Sequence, residues 1–448
     1  MKKKLKIWTG IGTYALMNVG AMTLAIPGTA NADELINPPE ETTSVLISDN
    51  HACIPIAVEG GGEGGDEIEG GEGGEGGEGG EGGEGGEGGE GGEGGEGGEG
   101  GEASLEPLLP SRVFLPPSQK FRDHQVIADF VDQLVIPNYE LLTVRSGELS
   151  ESIAAFVSNP SAATLAAAQE TWLAARTPWE ESEAFAFGPA AFLGLDAELD
   201  DWPLNEVDVI AVLESGDALT PEYVDGLQTS QKGFHAIGFL LFGTDNDKDL
   251  TAFTPRDLEY LAAIGPVFDQ TANDLLLSWT EGIDGNPAFR SEFINAGEGS
   301  NIYPTVQAAG EEIVQGIIGI LDELGNVKIG EAMDTQNPFL LESRFSQSSL
   351  EDFQANLNSA QNAYLGEYPA GGTAGHSLSD FIATIDPNLD AQIQAQLQVA
   401  FNNIEAIPGP IEKTLCDSSA EPQITAAQDS VLELFDVFEQ QVLPLVQQ

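Results

Sequence analysis

Residues 231–243 read QKGFHAIGFLLFG, with His235 in the middle of an otherwise apolar, helix-like run. On a helix, a histidine and a carboxylate three or four residues apart share one side and can share a metal. Those positions hold Gly238 and Phe239. A metal at His235 therefore needs carboxylates from other elements. The stretch ARTPWEESEAFAFGP offers Glu180, Glu181 and Glu183 crowded at a helix end. The competing reading of His235 is a packed, hydrogen-bonded core histidine. In GHSLSDF, Asp380 lies four residues after His376. That spacing reads as a two-ligand start or as an ordinary pair at a helix N-terminus. His51 and His124 sit in no comparable pattern. Gly-x-Ser-x-Gly, Walker, EF-hand and His-Glu-x-x-His motifs are absent. Arg176 in LAARTPWEESE and Arg344, two residues after Glu342 in ESRFSQ, read as structural ion pairs or as groups that orient a carboxylate.

The elements that must position these residues are helical. FRDHQVIADFVDQLVIPNYELL places Val126, Ile127, Phe130, Val131 and Leu134 on one stripe at spacings of three and four. SAATLAAAQETWLAARTPW reads as a helix with Ser161 as its cap. TPRDLEYLAAIGPVF opens with Thr254 as N-cap and Pro255 at the first helical position. VQAAGEEIVQGIIGILDELG is expected to stop at Gly325. Three further helical runs complete the chain, and strand-like alternation is nearly absent. The fold expected is all-α, with two helix-bundle lobes at 103–300 and 301–448. An internal echo points to duplication: Leu165 aligns with Leu350, Gln169 with Gln354, Ala175 with Ala360 and Trp179 with Tyr364. A second echo aligns His235 with His376.

Upstream, four lysines in the first six residues, an apolar stretch from Ile7 to Ile26 and Ala30-Asn31-Ala32 read as a cleaved signal peptide over 1–32. A segment of mixed character spans 33–59. The Gly-Gly-Glu run over 60–102 reads as a disordered tether. Past the leader, 12 Lys+Arg face 74 Asp+Glu. Nucleic acid is excluded as a partner, since phosphate contacts need a basic surface. Later segments hold no run of about 18 apolar residues, so no membrane span is expected. Cys53 and Cys416 could pair in an oxidising compartment.

Three blocks together resemble the imelysin family, in particular its iron-regulated branch. They are W-x-x-A-R-x-P-W-x-x-S-E-A-F-x-F-G-P over Trp172–Pro189, G-x-H-A-I-x-F-L-L-F-G over Gly233–Gly243, and E-S-R-F-S followed by L-x-D-F over Glu342–Phe353. Ser377–Asp380 is a weaker match. The resemblance covers roughly Lys120 to Gln448. It implies an extracytoplasmic, two-lobed helical protein tied to iron acquisition. The ligand implied is iron, with zinc or calcium as alternatives, or an iron-bearing or envelope protein partner. The family was first named as a peptidase. Its metal motif is Gly-x-His-x-x-Glu. Gly233 and His235 match it, while Gly238 stands in place of the glutamate. Either another acid substitutes, with Glu183 the first choice and Glu180 beside it, or the position has become structural. His376 and Asp380 remain the second candidate pair. A non-catalytic surface scaffold is the third functional reading.

Overall fold

Helix α1 runs over 124–158, and Asp123 caps it by accepting from the Gln125 N–H at 2.9 Å. The stripe read from sequence is buried along its whole length. The ladder widens to π spacing over Phe130–Val135. Pro137, just beyond, has no N–H to return to that ladder. Helix α2, Ala162–Glu180, opens on a reciprocal cap between Ser161 and Thr164. Helices α3, Leu195–Asp200, and α4, Gly233–Phe242, are short. Helix α5, Pro255–Thr280, starts at the expected Thr254 cap, which Asp257 reciprocates. Then come α6, Val306–Asp322, α7, Ser349–Leu365, α8, Leu378–Ile385, α9, Pro387–Glu405, and α10, Glu421–Val437. This computed structural model describes residues 120–366, 368 and 375–448. The leader, the Gly-Gly-Glu run, His51 and the Cys53 end of the Cys53–Cys416 pairing lie outside those residues. Among the described residues every regular element is helical.

The expected stop at Gly325 is not there. The chain continues from α6 through a π segment, Glu323–Ile329, into Gly330–Thr335. Tertiary packing overrides the glycine signal. A Cβ at Gly325 would lie 2.7 Å from Leu432 of α10, so the glycine serves close approach. Gln428 of α10 donates its amide to the Gly325 carbonyl at 3.0 Å. A side chain at Gly330 would meet that same amide at 2.8 Å. A side chain wedged into the helical ladder widens it, and here the widened turn carries Lys328 fully buried.

Helix α1 packs on α2 and α5, while α6 packs on α7 and α9 on α10. The two sets meet where α7 lies against α2, and where the turn Glu183–Phe185 lies against α6 and α7. Two pairs of the first echo share burial, Ala175 with Ala360 and Trp179 with Tyr364, while buried Leu165 meets half-buried Leu350 and half-buried Gln169 meets exposed Gln354. The second echo does not, since His235 is buried and His376 is 63% exposed.

Candidate functional site

Six elements deliver charged side chains to the contact between α2 and α7. Arg176 and Glu180 lie one turn apart at the end of α2. Asp200 ends α3, and His235 stands in the first turn of α4. Lys328 comes from the π segment, Glu342 from the loop before α7, and Asp352 and Asn356 from α7 itself. All of these charged side chains are 5% exposed or less.

Gly233 makes one of these meetings possible. Its φ is +76°, and a Cβ there would fall 2.4 Å from the Leu199 carbonyl oxygen. Only glycine accepts both conditions. The start of α4 thus comes down on the end of α3, and His235 Nε2 comes within 3.0 Å of Asp200 Oδ1. The contact is close but not aligned as a hydrogen bond, so Nε2 is buried without an aligned partner. Asp200 also accepts from Trp179 Nε1 at 2.6 Å and pairs with Arg176.

The Arg176 guanidinium lies 2.8 Å from Glu342, 3.6 Å from Asp352 and in contact with Glu180. Its carbon stands 5.2 Å from the centre of the Phe234 ring. Lys328 Nζ lies 2.6 Å from Glu342, 3.1 Å from Glu180 and 4.0 Å from Glu183. Asn356 donates to Glu180 at 2.6 Å, and Ser343 donates to Asp352.

Four carboxylates thus face two fixed cations and one imidazole, and Glu183 adds a fifth at the edge. Burial opposes ionisation of Asp200 and Glu342. It is outweighed by Arg176 and His235 at Asp200, and by Lys328 and Arg176 at Glu342, so both stay below the usual carboxylate range. Burial prevails at Glu180, and it lifts Glu183 and Asp352 well above their ordinary values. Nearby, burial and neighbouring carboxylates raise Asp196 and Glu323 to about 7.

Three sets of candidate ligand atoms lie within 4.8 Å of one another: Asp200, His235 and Glu342; Glu180, Glu342 and Asp352; and Glu180, Glu183 and Asp200. The first joins an imidazole to two carboxylates, a donor set that suits iron, zinc or manganese. The unaligned His235 Nε2 and Glu342 Oε2 fit that use. Arg176 draws on the same oxygens and opposes it.

Of the residues singled out from sequence, His235, Glu180 and Glu183 come together here. Asp200, rather than Glu183, stands next to His235, while Glu183 lies toward Lys328. His376 and Asp380 do not join them. His376 precedes α8, so the two never share a helical face. Its ring nitrogen lies 3.3 Å from Asp123, and its backbone N–H donates to Asp129 at 2.8 Å. Asp380 accepts from the Ser377 N–H at 3.1 Å, which makes it a helix cap. Arg344 pairs with Glu206, not Glu342, and lies over the Phe345 ring at 4.1 Å. Gly238 faces the Trp172 indole, where a Cβ would lie 3.1 Å from the ring. Asp200 and Lys328 escaped the sequence reading, and Asp352 entered it only as the aspartate of the L-x-D-F block. The one signal available for Lys328 was a rare base inside an apolar stretch, NVKIGEAM.

The imelysin family model matches residues 135–438. Iron-regulated protein A of Synechococcus elongatus is 35% identical over 330 residues, covering 74% of this chain and 88% of that protein. The crystal structure of an iron-regulated protein A precursor from Parabacteroides distasonis superimposes with a TM-score of 0.66 at 25% identity, over 72% of this chain and 95% of that one. An imelysin-like protein from Psychrobacter arcticum shares the fold alone, with a TM-score of 0.58 at 14% identity over 75% and 98%. Helical architecture, blocks in sequence and relatives agree: this chain belongs to the imelysin family.

Proposed function

We propose that this protein acts outside the cytoplasm in iron acquisition. It binds iron as cargo at the centre formed by Asp200, His235 and Glu342, between two helical lobes, with Glu180 and Glu183 close by. The observation that carries the reading is a buried imidazole nitrogen without an aligned partner. It stands among carboxylate oxygens that outnumber the fixed cations around them. Hard oxygen donors and an imidazole suit iron, and zinc is the alternative occupant. The iron-regulated relatives support the cargo. The lysine-rich, apolar leader and the word precursor in the name of the Parabacteroides protein support the location. Among the described residues no helix is long and apolar enough to cross a membrane. Hydrolysis of a polypeptide is disfavoured as the role of this centre, because side chains this deeply buried give a peptide backbone no approach.

Isothermal titration of the full chain with ferrous and ferric iron tests the reading. One equivalent is expected, lost in His235→Ala. No uptake by the unmodified protein would overturn it.

A further inference from the structure

The two fixed cations of the centre are not held alike. Arg176 touches four carboxylates and lies against the Phe234 ring, on a regular helix. Lys328 ends a flexible stem, on a π turn that Gln428 wedges open. Widened turns of this kind recur at functional positions. Like Arg176, whose one aligned hydrogen bond goes to Asp200, its ammonium makes one aligned hydrogen bond, to Glu180 at 3.1 Å. It stands 2.6 Å from Glu342 Oε2 without alignment and 4.0 Å from Glu183. That shell is all oxygen, as a hard cation requires. Glu180 and Glu342 also belong to the candidate ligand sets. His235 Nε2, 2% exposed and unaligned, belongs to the set that shares Glu342.

We propose that Lys328 is a resident counter-ion. Its ammonium occupies a cation seat made by Glu180 and Glu342, with Glu183 at the edge, and a metal ion enters the centre by displacing it. The inference rests on the reading that the centre takes a cation, and it adds the residue that sets how tightly. An ammonium and a metal ion cannot share Glu342 Oε2 at full charge without repulsion. Most molecules then hold the seat closed, which scales the apparent affinity down to the fraction open. The displaced ammonium has acceptors outside the seat. Glu183 lies at its edge, and Glu323, in the same π segment, is felt by Lys328 electrostatically.

The test compares Lys328→Met and Lys328→Gln with the unmodified full chain, titrated with manganese(II) and ferrous iron. Both variants are expected to bind about tenfold or more tightly than the unmodified protein. They should also melt lower in chelator and gain more on metal addition. Equal or weaker affinity would overturn the inference and leave the iron-binding reading standing. Tight binding by the variants with none by the unmodified protein would support the resident counter-ion and overturn that reading. No binding by any of them would overturn both. A second measurement needs no variant. Amine-directed acetylation followed by peptide mass spectrometry is expected to modify Lys328 of the unmodified protein faster with manganese(II) than without it. Unchanged or slower modification would contradict displacement.

Discussion

Arg176→Met removes the guanidinium that joins Asp200, Glu180, Glu342 and Asp352 while keeping most of the apolar stem. Lys328 alone then faces these carboxylates, with His235 beside Asp200. Breaking a buried ion pair by deleting one partner costs about 3–5 kcal/mol, because a charge is left buried and uncompensated. Four acidic neighbours do not multiply that figure, since those no longer held ionised take up protons. For a unit of this size, 1 kcal/mol corresponds to a shift of about 1–2 °C in melting temperature. A fall of roughly 4–8 °C at neutral pH is therefore expected by calorimetry. The sign of its pH dependence follows from Asp200 and Glu342. Both are held below their ordinary values, so in the unmodified protein their ionisation stabilises the fold above the ordinary carboxylate range. Without Arg176 their ionised forms lose that support. The deficit should already be present at pH 5, above the ordinary carboxylate range, and grow toward pH 8, as carboxyls that protons had neutralised in the absence of the guanidinium resist ionisation. The double variant Arg176→Met/Asp200→Asn should recover about 1 kcal/mol or more relative to additivity. A melting temperature within 1 °C of the unmodified protein, or a deficit that shrinks as pH rises, would refute this account of the cluster.

Gly238→Ala should lower the melting temperature. Helix propensity favours alanine by about 1 kcal/mol, but the new Cβ meets Trp172 at 3.1 Å, and overpacking costs about 1–3 kcal/mol; a stabilised variant would show that the indole yields. Asp196→Asn should gain on the unmodified protein as pH rises. A carboxyl raised to about 7 loses its stabilising protonation up to that pH and contributes nothing more beyond it; a constant difference between pH 5 and pH 8 would contradict this. Metal binding at pH 6 should release protons, since burial and neighbouring carboxylates raise Asp196 and Glu323 to about 7 and a cation in the centre favours their ionised forms. Calorimetric titrations in buffers of different ionisation enthalpy would measure that release, and buffer-independent heats would contradict it.

Local signals were legible in the sequence because they are complete within a few residues. Ser161, and Thr254 followed by Pro255, mark caps whose hydrogen bonds close within three residues, on Thr164 and Asp257. The apolar stripe of α1 was legible for the same reason. Gly325 misled because its meaning lies in α10, where Leu432 and Gln428 decide what that turn does. The site was half legible. His235, Glu180 and Arg176 stood out as polar groups in apolar or aromatic company. Asp200 sits in LDAELDDW among other acids and carries no local mark. Only the approach of α4 to α3 at Gly233 singles it out. His376 and Asp380 show the converse, a ligand-like spacing that a helix start breaks.

Anomalous X-ray diffraction at the iron absorption edge, from crystals grown with ferrous iron, tests the central claim most directly. The expected result is one peak within coordination distance of Asp200, His235 and Glu342, with Lys328 Nζ moved toward Glu183. An iron peak elsewhere, or density unchanged around His235 under saturating iron, would contradict it.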